Sequence, residues 1–559
     1  MIEFKPKLFS VFKKYSKETF MADLMAGIIV GIVALPLAIA FGIASGVSPE
    51  KGILTAIVAG FIISTFGGTK LQIGGPTGAF IVIIYGIIQE YGEQGLIVAT
   101  LLAGILLVLM GVLKLGTIVK FIPYPIIVGF TSGIAVTIFT TQIADVFGLT
   151  FGEESLPGSF LGKWGFYFKY FTTINWWNTL VSILSILLII FTPKFSKKIP
   201  GSLVAIIVMT LFVYGLKHLF GIDTIDTIGD RFTIDSEIPD AQIPAMSWST
   251  IKNLFPVAIT IAVLGAVESL LSATVADGVT GDRHDSNTEL IAQGVANIAT
   301  PLFGGIPATG AIARTMTNIN NGGRTPIAGI IHAIVLLLIY LFLMPYAQYI
   351  PMGCLAGVLV IVAYNMSEWR TFKMLLKNPK SDVIVLLTTF SLTVIVDLVV
   401  AIEVGLVLAC LLFMHRVANV SHISVETGKL DVLADLGEDT KEEKIVLPEG
   451  VEVYEINGPF FFGIANKFEE LMISLGTHAK VRIIRMRRVP FVDSTGIQNL
   501  TNLCKISQRV KIPIVLSGVN DGVHESLKKA GFYSLLGKDN ICPSIYEAVE
   551  RAKEIIDNN

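Results

Sequence analysis

From about Phe20 to Met414 charge is sparse and the chain breaks into apolar runs of the length, about 20 residues, that a helix needs to cross a bilayer. Inside lipid only helices or closed barrels satisfy their own backbone, so this pattern limits the fold more than any other feature of the sequence. Of the 559 residues, 53% are hydrophobic and 15% charged, well below the roughly 25% charged of a soluble domain. Clear spans fall at about 22–45, 52–66, 95–113, 124–146, 177–195, 202–220, 254–276, 326–345, 352–367, 382–397 and 400–416. Three more, at 75–89, 288–302 and 308–320, are shorter or broken by Gly and Pro, and the total expected is fourteen.

Loop charges test that count. Clusters from Lys5 to Lys17, at Lys114 and Lys120, from Lys194 to Lys198 and from Arg370 to Lys380, with single charges at Lys70, Arg283 and Arg324, all fall on the side of the N-terminus. The long loop 221–250 falls on the other side and is acidic. Positive charge inside predicts a plasma-membrane protein with both termini in the cytoplasm. The expected organisation is a cytoplasmic segment at 1–20, a transmembrane region at 21–418, a polar linker at 419–448 and a soluble domain at 449–559. The first segment mixes Phe and Lys without a signal-peptide core, and fits a helix lying on the membrane surface.

The spans repeat. Gly74-Gly75-Pro76-Thr77-Gly78-Ala79-Phe80 shares its Pro and Thr-Gly-Ala with Pro307-Ala308-Thr309-Gly310-Ala311, Thr309 following Thr77 by 232 positions. Phe121-Ile122-Pro123 and Tyr349-Ile350-Pro351 open two further spans, each with Gly after five more residues, at an offset of 228. The repeat unit is seven spans, about 21–220 and about 254–418; an odd unit inserts the second copy upside down, giving a 7+7 inverted repeat.

The paired breaks are the first candidate site. A helix that starts within the membrane directs free N–H groups and the positive end of its dipole at what precedes it, which suits an anion. Gly75, Pro76, Thr77 and Gly78 are expected to face Ala308, Thr309, Gly310 and Ala311 across such a ligand, the glycines admitting it to the backbone and the threonines donating hydroxyls. The bland alternative is that these are kinks shaping helix packing. Arg314, one and a half turns on, would raise the positive potential there; otherwise it snorkels to the cytoplasmic face or pairs structurally. Glu268 is the acid well inside span 8, and the 232-residue offset maps it onto Pro36 of span 1. It is a candidate proton carrier, or with Ser272 an oxygen site for Na⁺, or a buried helix brace. Phe41 is either an aromatic wall of the site or a packing residue. The polar helix from Asn287 to Asn297, capped by Ser286 or Asn287, is expected between two domains of the membrane region. Asp397 and Glu403 read as solvated charges, and His332 as a packing residue.

Beyond Val420, strands at 451–456, 481–486 and 512–517 alternate with helices at 467–475, 494–509, 522–530 and 544–556, the pattern of a small α/β domain on a mostly parallel sheet. Asp493 is a helix cap, and Ser494 and Thr495 beside it would suit a phosphorylation switch. Cys354, Cys410, Cys504 and Cys542 have no metal spacing and are expected to be reduced. No nucleotide-binding loop, hydrolase or zinc motif supports a pump or an enzyme, no cofactor or metal is implied, and no basic, aromatic-interleaved tract suggests nucleic acid.

The combination Gly75-Pro76-Thr77-Gly78, Glu268-Ser269-Leu270-Leu271, Ala311-Ile312-Ala313-Arg314 and Asp493-Ser494-Thr495-Gly496 resembles the SulP (sulfate permease) family of anion transporters, whose soluble domain is the STAS domain. Within it, the stretches 33–38, 276–281 and 365–368 resemble the bacterial branch that includes the dicarboxylic acid transporter DauA. The resemblance implies a core domain of spans 1–4 and 8–11, a gate domain of spans 5–7 and 12–14, an elevator motion, a homodimer, and an anion between spans 3 and 10. An acid at the Glu268 position is tied to cation coupling in the family. Relatives that use Na⁺ with bicarbonate resemble Asp and Thr at the Glu268 and Ser272 positions, so Glu and Ser here favour H⁺. The function expected is H⁺-coupled symport of a small anion such as the C4-dicarboxylates fumarate and succinate. Alternatives are Na⁺- or H⁺-coupled bicarbonate or sulfate transport, a nucleobase permease of like architecture, an anion channel or exchanger, and a membrane-tethered signalling protein.

Overall fold

The computed structural model describes the chain except residues 1–3, 12–14, 118–121, 153, 155, 196–199, 235, 236, 238, 240, 242, 243, 245, 246, 397, 428, 432–443, 464–478 and 559. The expected helix at 467–475 and Asp397 lie outside the described residues. Two compact units divide at Val407/Leu408.

The first unit is helical. Its main elements are α1 (Lys17–Ala44), α2 (Pro49–Phe66), strand β1 (Gly74–Gly75), α3 (Ile81–Val112), α4 (Tyr124–Phe147), α5 (Phe160–Lys169), α6 (Trp176–Phe195), α7 (Gly201–Phe220), α8 (Trp248–Thr280), α9 (Ser286–Leu302), strand β2 (Thr309–Gly310), α10 (Ile312–Asn320), α11 (Pro326–Leu343), α12 (Met352–Met366), α13 (Lys380–Ile395) and α14 (Leu398–Val420), the last running into the second unit. Gly92, at φ 67 and ψ −171, breaks α3 into two arms, so α3 supplies two of the expected spans. Ten described helices are long and apolar enough to cross a membrane on those grounds alone. α9, of 17 residues, and α10, of 9, are shorter than those ten, and their polar faces are turned inward: Thr288, Glu289, Gln293 and Asn297 of α9, and Arg314, Thr315 and Asn318 of α10, are all buried.

Packing recurs with the two halves exchanged. α9 lies on the second arm of α3 as α2 lies on α11; α8 lies on α3 as α1 lies on α11; α13 lies on α4 as α6 lies on α12. Two helix groups result, α1–α3 with α8–α11, and α4, α6 and α7 with α12 and α13. Small residues set the closest approaches. A Cβ on Gly104 would stand 2.8 Å from the Gly294 carbonyl oxygen and one on Gly294 2.6 Å from that of Gly104, so α3 and α9 meet backbone to backbone. This corrects the expected place of α9. It lies inside the first group, against α2 and α3, because its polar side chains bond within that group. The cap differs too: Asp285 accepts from the Asn287 and Thr288 amides at 3.0 and 2.9 Å, rather than Ser286 or Asn287 capping.

The second unit carries a five-stranded sheet in the order β3 (His422–Thr427), β4 (Val451–Asn457), β5 (Val481–Arg488), β6 (Ile514–Ser517), β7 (Ile541–Cys542); β3 runs antiparallel to β4 and the other pairs are parallel. The sheet therefore begins within the polar stretch 420–448, expected as a linker with two short strands, since an edge strand has only one neighbour and needs little apolar content. Helices α15 (Ser494–Arg509), α16 (Asp521–Lys529) and α17 (Ile545–Asp557) cover the sheet, and apolar clusters form on both faces. Glu452 faces Arg482, and Glu455 faces Arg485, in register across β4 and β5, with N–O separations of 3.7 and 3.4 Å.

Cys504 of α15 is buried in that core, and burial pushes its thiol up to about 12. The thiolate is the reactive form, so the folded protein is expected to leave Cys504 unmodified by maleimide at mildly alkaline pH and to expose it on denaturation. Mass spectrometry of labelled peptides checks this; rapid native labelling would mean that the helices do not close over it.

Candidate functional site

The two broken segments meet. Gly74 pairs with Gly310 and Gly75 with Thr309 in an antiparallel two-residue ladder, extended by the Ala311 amide donating to the Ile73 carbonyl at 2.9 Å. Pro76 and Pro307 flank the ladder, and neither could donate within it. From this crossing the chain enters α3 on one side, through a turn at Gly78–Phe80, and α10 on the other.

Buried polar side chains hold the crossing. The Asn297 amide clamps the Ala308 peptide at both ends, donating to its carbonyl at 2.8 Å and accepting from its N–H at 2.9 Å. Thr55 Oγ1 accepts from the Ile306 amide at 2.8 Å, and Thr315 Oγ1 from the Ile73 amide at 3.1 Å. Ser269 serves both strands: its hydroxyl accepts from the Gly310 amide at 3.1 Å and its carbonyl from Gln72 Nε2 at 3.2 Å. Asn318 Nδ2 reaches the Leu71 carbonyl at 3.0 Å. These positioning groups escape a reading by motif, because each sits in an ordinary helix and is marked only by being polar where its neighbours are apolar.

Thr77, Glu268 and Ala311 are half-buried, while Gly75, Pro76, Gly78, Ala308, Thr309 and Gly310 are buried. Thr77 donates its hydroxyl to Glu268 Oε2 at 2.9 Å, and Thr309 also lies against that carboxyl. Gly78 faces Phe41 and the second helix group: a Cβ there would meet Met366 Sδ at 3.0 Å, Ile138 Cδ1 at 3.3 Å and Phe41 Cε1 at 3.5 Å. The amides that follow Thr309 are already committed, Gly310 to Ser269 and Ala311 to Ile73. The open N–H groups come from the first turns beyond the ladder, at Gly78 and Ala79 on one side and at Ile312 and Ala313 on the other, the last two exposed. Ile312 and Ala313 lie within the motif Ala311–Arg314 but outside the expected contact residues, which end the Thr-Gly-Ala at Ala311 and add only Arg314.

Two further expected residues lie within the first helix group. Ser272 does not join Glu268; it donates to Thr315 Oγ1 at 3.2 Å, inside the first helix group. Arg314 neither snorkels nor pairs with a carboxylate among the described residues. It is 1% exposed, its Nη1 and Nη2 have no hydrogen-bond partner, and its guanidinium presses on Gly75 where a Cβ would overlap Nη1. It therefore packs directly against β1, out of contact with solvent. A buried, unpaired charge is costly, and its field falls on the ladder a few ångströms away. In the second unit, Asp493 caps α15 through the Gly496 amide at 2.7 Å, leaving Ser494 and Thr495 exposed on its first turn. No group of three or more His, Cys, Asp or Glu able to hold a metal occurs among the described residues.

A polytopic helical protein with two broken helices meeting over amide donors has the architecture of a membrane carrier for anions. Residues 20–389 match the sulfate permease family and residues 444–551 the STAS domain, and the chain belongs to that family of anion transporters. It is 41% identical over 532 residues to the Bacillus subtilis protein named "Putative sulfate transporter YvdB", covering 95% of this chain and 97% of that one. It is 30% identical over 521 residues to the bicarbonate transporter BicA of Picosynechococcus, covering 90% and 89%. The murine Solute Carrier 26 family member A9 anion transporter shares the fold, with a TM-score of 0.87 over 99% of this chain and 94% of that one at 19% identity.

Gly75 has φ 154 and no room for a Cβ, and a Cβ on Gly310 would overlap Gln72 Nε2. Gly75→Ala is expected to cost about 1–3 kcal/mol through overpacking, read as a lower melting temperature in detergent. A wild-type melting temperature would mean that the crossing relaxes around a side chain.

Proposed function

We propose that the protein carries a small oxyanion through the membrane together with a proton. The anion sits over the amides of Gly78, Ala79, Ile312 and Ala313, within reach of the Thr77 hydroxyl and with Phe41 as one wall, and Arg314 supplies positive potential from behind. Glu268 carries the proton. The observation that bears most weight is the 2.9 Å bond between Thr77 and Glu268, because it joins the acid to the anion's own contact residue. Proton uptake by Glu268 removes a negative charge from the site and lets an anion enter, which couples the two by charge alone. Ser272 bonds Thr315 instead of Glu268, which favours H⁺ over a two-oxygen Na⁺ site.

Sulfate and bicarbonate are the anions named for the relatives above, and they rank first. The C4-dicarboxylates follow from the motif resemblance to the DauA branch. Transport proceeds by movement of α1–α3 and α8–α11 against the remaining helices, in a homodimer of the plasma membrane with both termini cytoplasmic. The cytoplasmic STAS domain offers Ser494 and Thr495 as a regulatory surface.

In proteoliposomes under an imposed inward proton gradient, the wild type is expected to accumulate labelled sulfate or fumarate. Glu268→Gln should abolish accumulation while anion exchange without a gradient stays within about threefold, the scale on which coupling and binding separate. Undiminished accumulation by Glu268→Gln would remove the proton carrier from this account.

A further inference from the structure

A cavity of about 170 Å³ lies between the two helix groups, on the side of the first unit away from the N-terminus. Its walls come from Ala40 of α1, Tyr85 of α3, Gln142 and Asp145 of α4, Leu359 of α12, and Lys163 of α5. Tyr85 follows Gly78 by seven residues on the same half-helix, a rise of about 10 Å. Ala40 directly precedes Phe41. Two of its wall residues thus belong to the same helices, α1 and α3, that border the crossing.

Lys163 is the unusual member. It is 5% exposed, yet no carboxylate lies within 4 Å of its ammonium among the described residues. Its Nζ stands 5.5 Å from the centroid of the Tyr85 ring, a cation–π contact that aims the charge at the cavity. The carboxylate in the same wall is already used: Asp145 accepts from Arg231 Nη1 at 2.7 Å, and Arg231 also holds Asp226 at 3.0 Å. The helix that carries Lys163 is pinned in place, since Tyr167 donates to the Thr140 carbonyl at 3.0 Å. Burial pulls the Lys163 ammonium below the usual lysine range, and nothing else on the wall offsets that cost.

We propose that this cavity is a second anion site, in which Lys163 receives a small oxyanion or carboxylate on its way to the strand crossing. Tyr85 lies beside the ammonium and Gln142 elsewhere on the same wall, and both are neutral, so the cavity ranks anions by charge and size rather than by shape. An ammonium on a flexible stem suits such a waypoint: it attracts without the fixed bidentate geometry that would trap the ligand.

The inference rests on the transport reading, and the test separates the two. In proteoliposomes of one orientation, sulfate and fumarate uptake is followed against concentration on the Lys163 side, and efflux against concentration on the other. Lys163→Met is expected to raise KM on the Lys163 side about tenfold, the loss of one charge-assisted hydrogen bond, with the opposite KM unmoved. Lys163→Arg should keep KM near wild type. An unchanged KM in Lys163→Met, or an equal rise on both sides, overturns the site. Absence of uptake of both anions by the wild type would count against those substrates instead. The site is then read by amine labelling of the solubilised full chain, where sulfate should slow modification of Lys163 but not of the exposed Lys169, and equal rates would overturn it.

Discussion

The structure depends on a two-residue antiparallel ladder, Gly74–Gly75 against Thr309–Gly310, made in the middle of a membrane domain. Extended backbone in lipid leaves its polar groups stranded unless protein satisfies them. Here each strand does so for the other, and a shell of buried Thr55, Ser269, Asn297, Thr315 and Asn318 takes up the groups left over. That solves the problem of breaking two helices at one depth. It also leaves the first turns that follow the ladder, at Gly78–Phe80 and in α10, with N–H groups that the ladder does not use. The proposed anion site would be a consequence of how the ladder is stabilised.

Charge is arranged around that ladder in two layers. Arg314 is buried against Gly75, with no hydrogen-bond partner for Nη1 or Nη2. Glu268 is half-buried and bonded to Thr77. A cation and an acid beside the same backbone suit the proposed site, whose net charge would then depend on one proton. Lys163 is a third such charge, in the wall of a separate cavity and without a carboxylate partner among the described residues.

Much of this was legible in the residues. Span lengths follow from apolar runs, the Gly92 break falling between the expected spans 75–89 and 95–113, and the repeat of Pro and Thr-Gly-Ala brought Gly75 and Gly310 to the same site. Periodicity failed where polar residues face inward. The helix from Asn287 to Asn297 reads as an inter-domain element, but Glu289 and Asn297 spend their hydrogen bonds inside one helix group. The pairing of Glu268 with Ser272 assumed that one helical turn means one ligand; Thr315 competes for Ser272 from another helix, which no spacing rule reveals. Ile312 and Ala313 stood within the motif Ala311–Arg314 but not among the expected contact residues, because open amides carry no side-chain signature. Lys163 lay in an outer loop where a lysine is ordinarily solvated, and only the packing of α5 on α4 removes it from water.

The most direct test of the amide site is hydrogen exchange with mass spectrometry on the full chain in detergent, with and without sulfate, bicarbonate or fumarate. An anion held by the first turns of α3 and α10 should slow exchange in peptides covering residues 78–80 and 312–314 together, leaving the Gly74–Gly75 and Thr309–Gly310 ladder as protected as before. Protection by a transported anion elsewhere in the cleft, with both of these turns unchanged, would contradict the account.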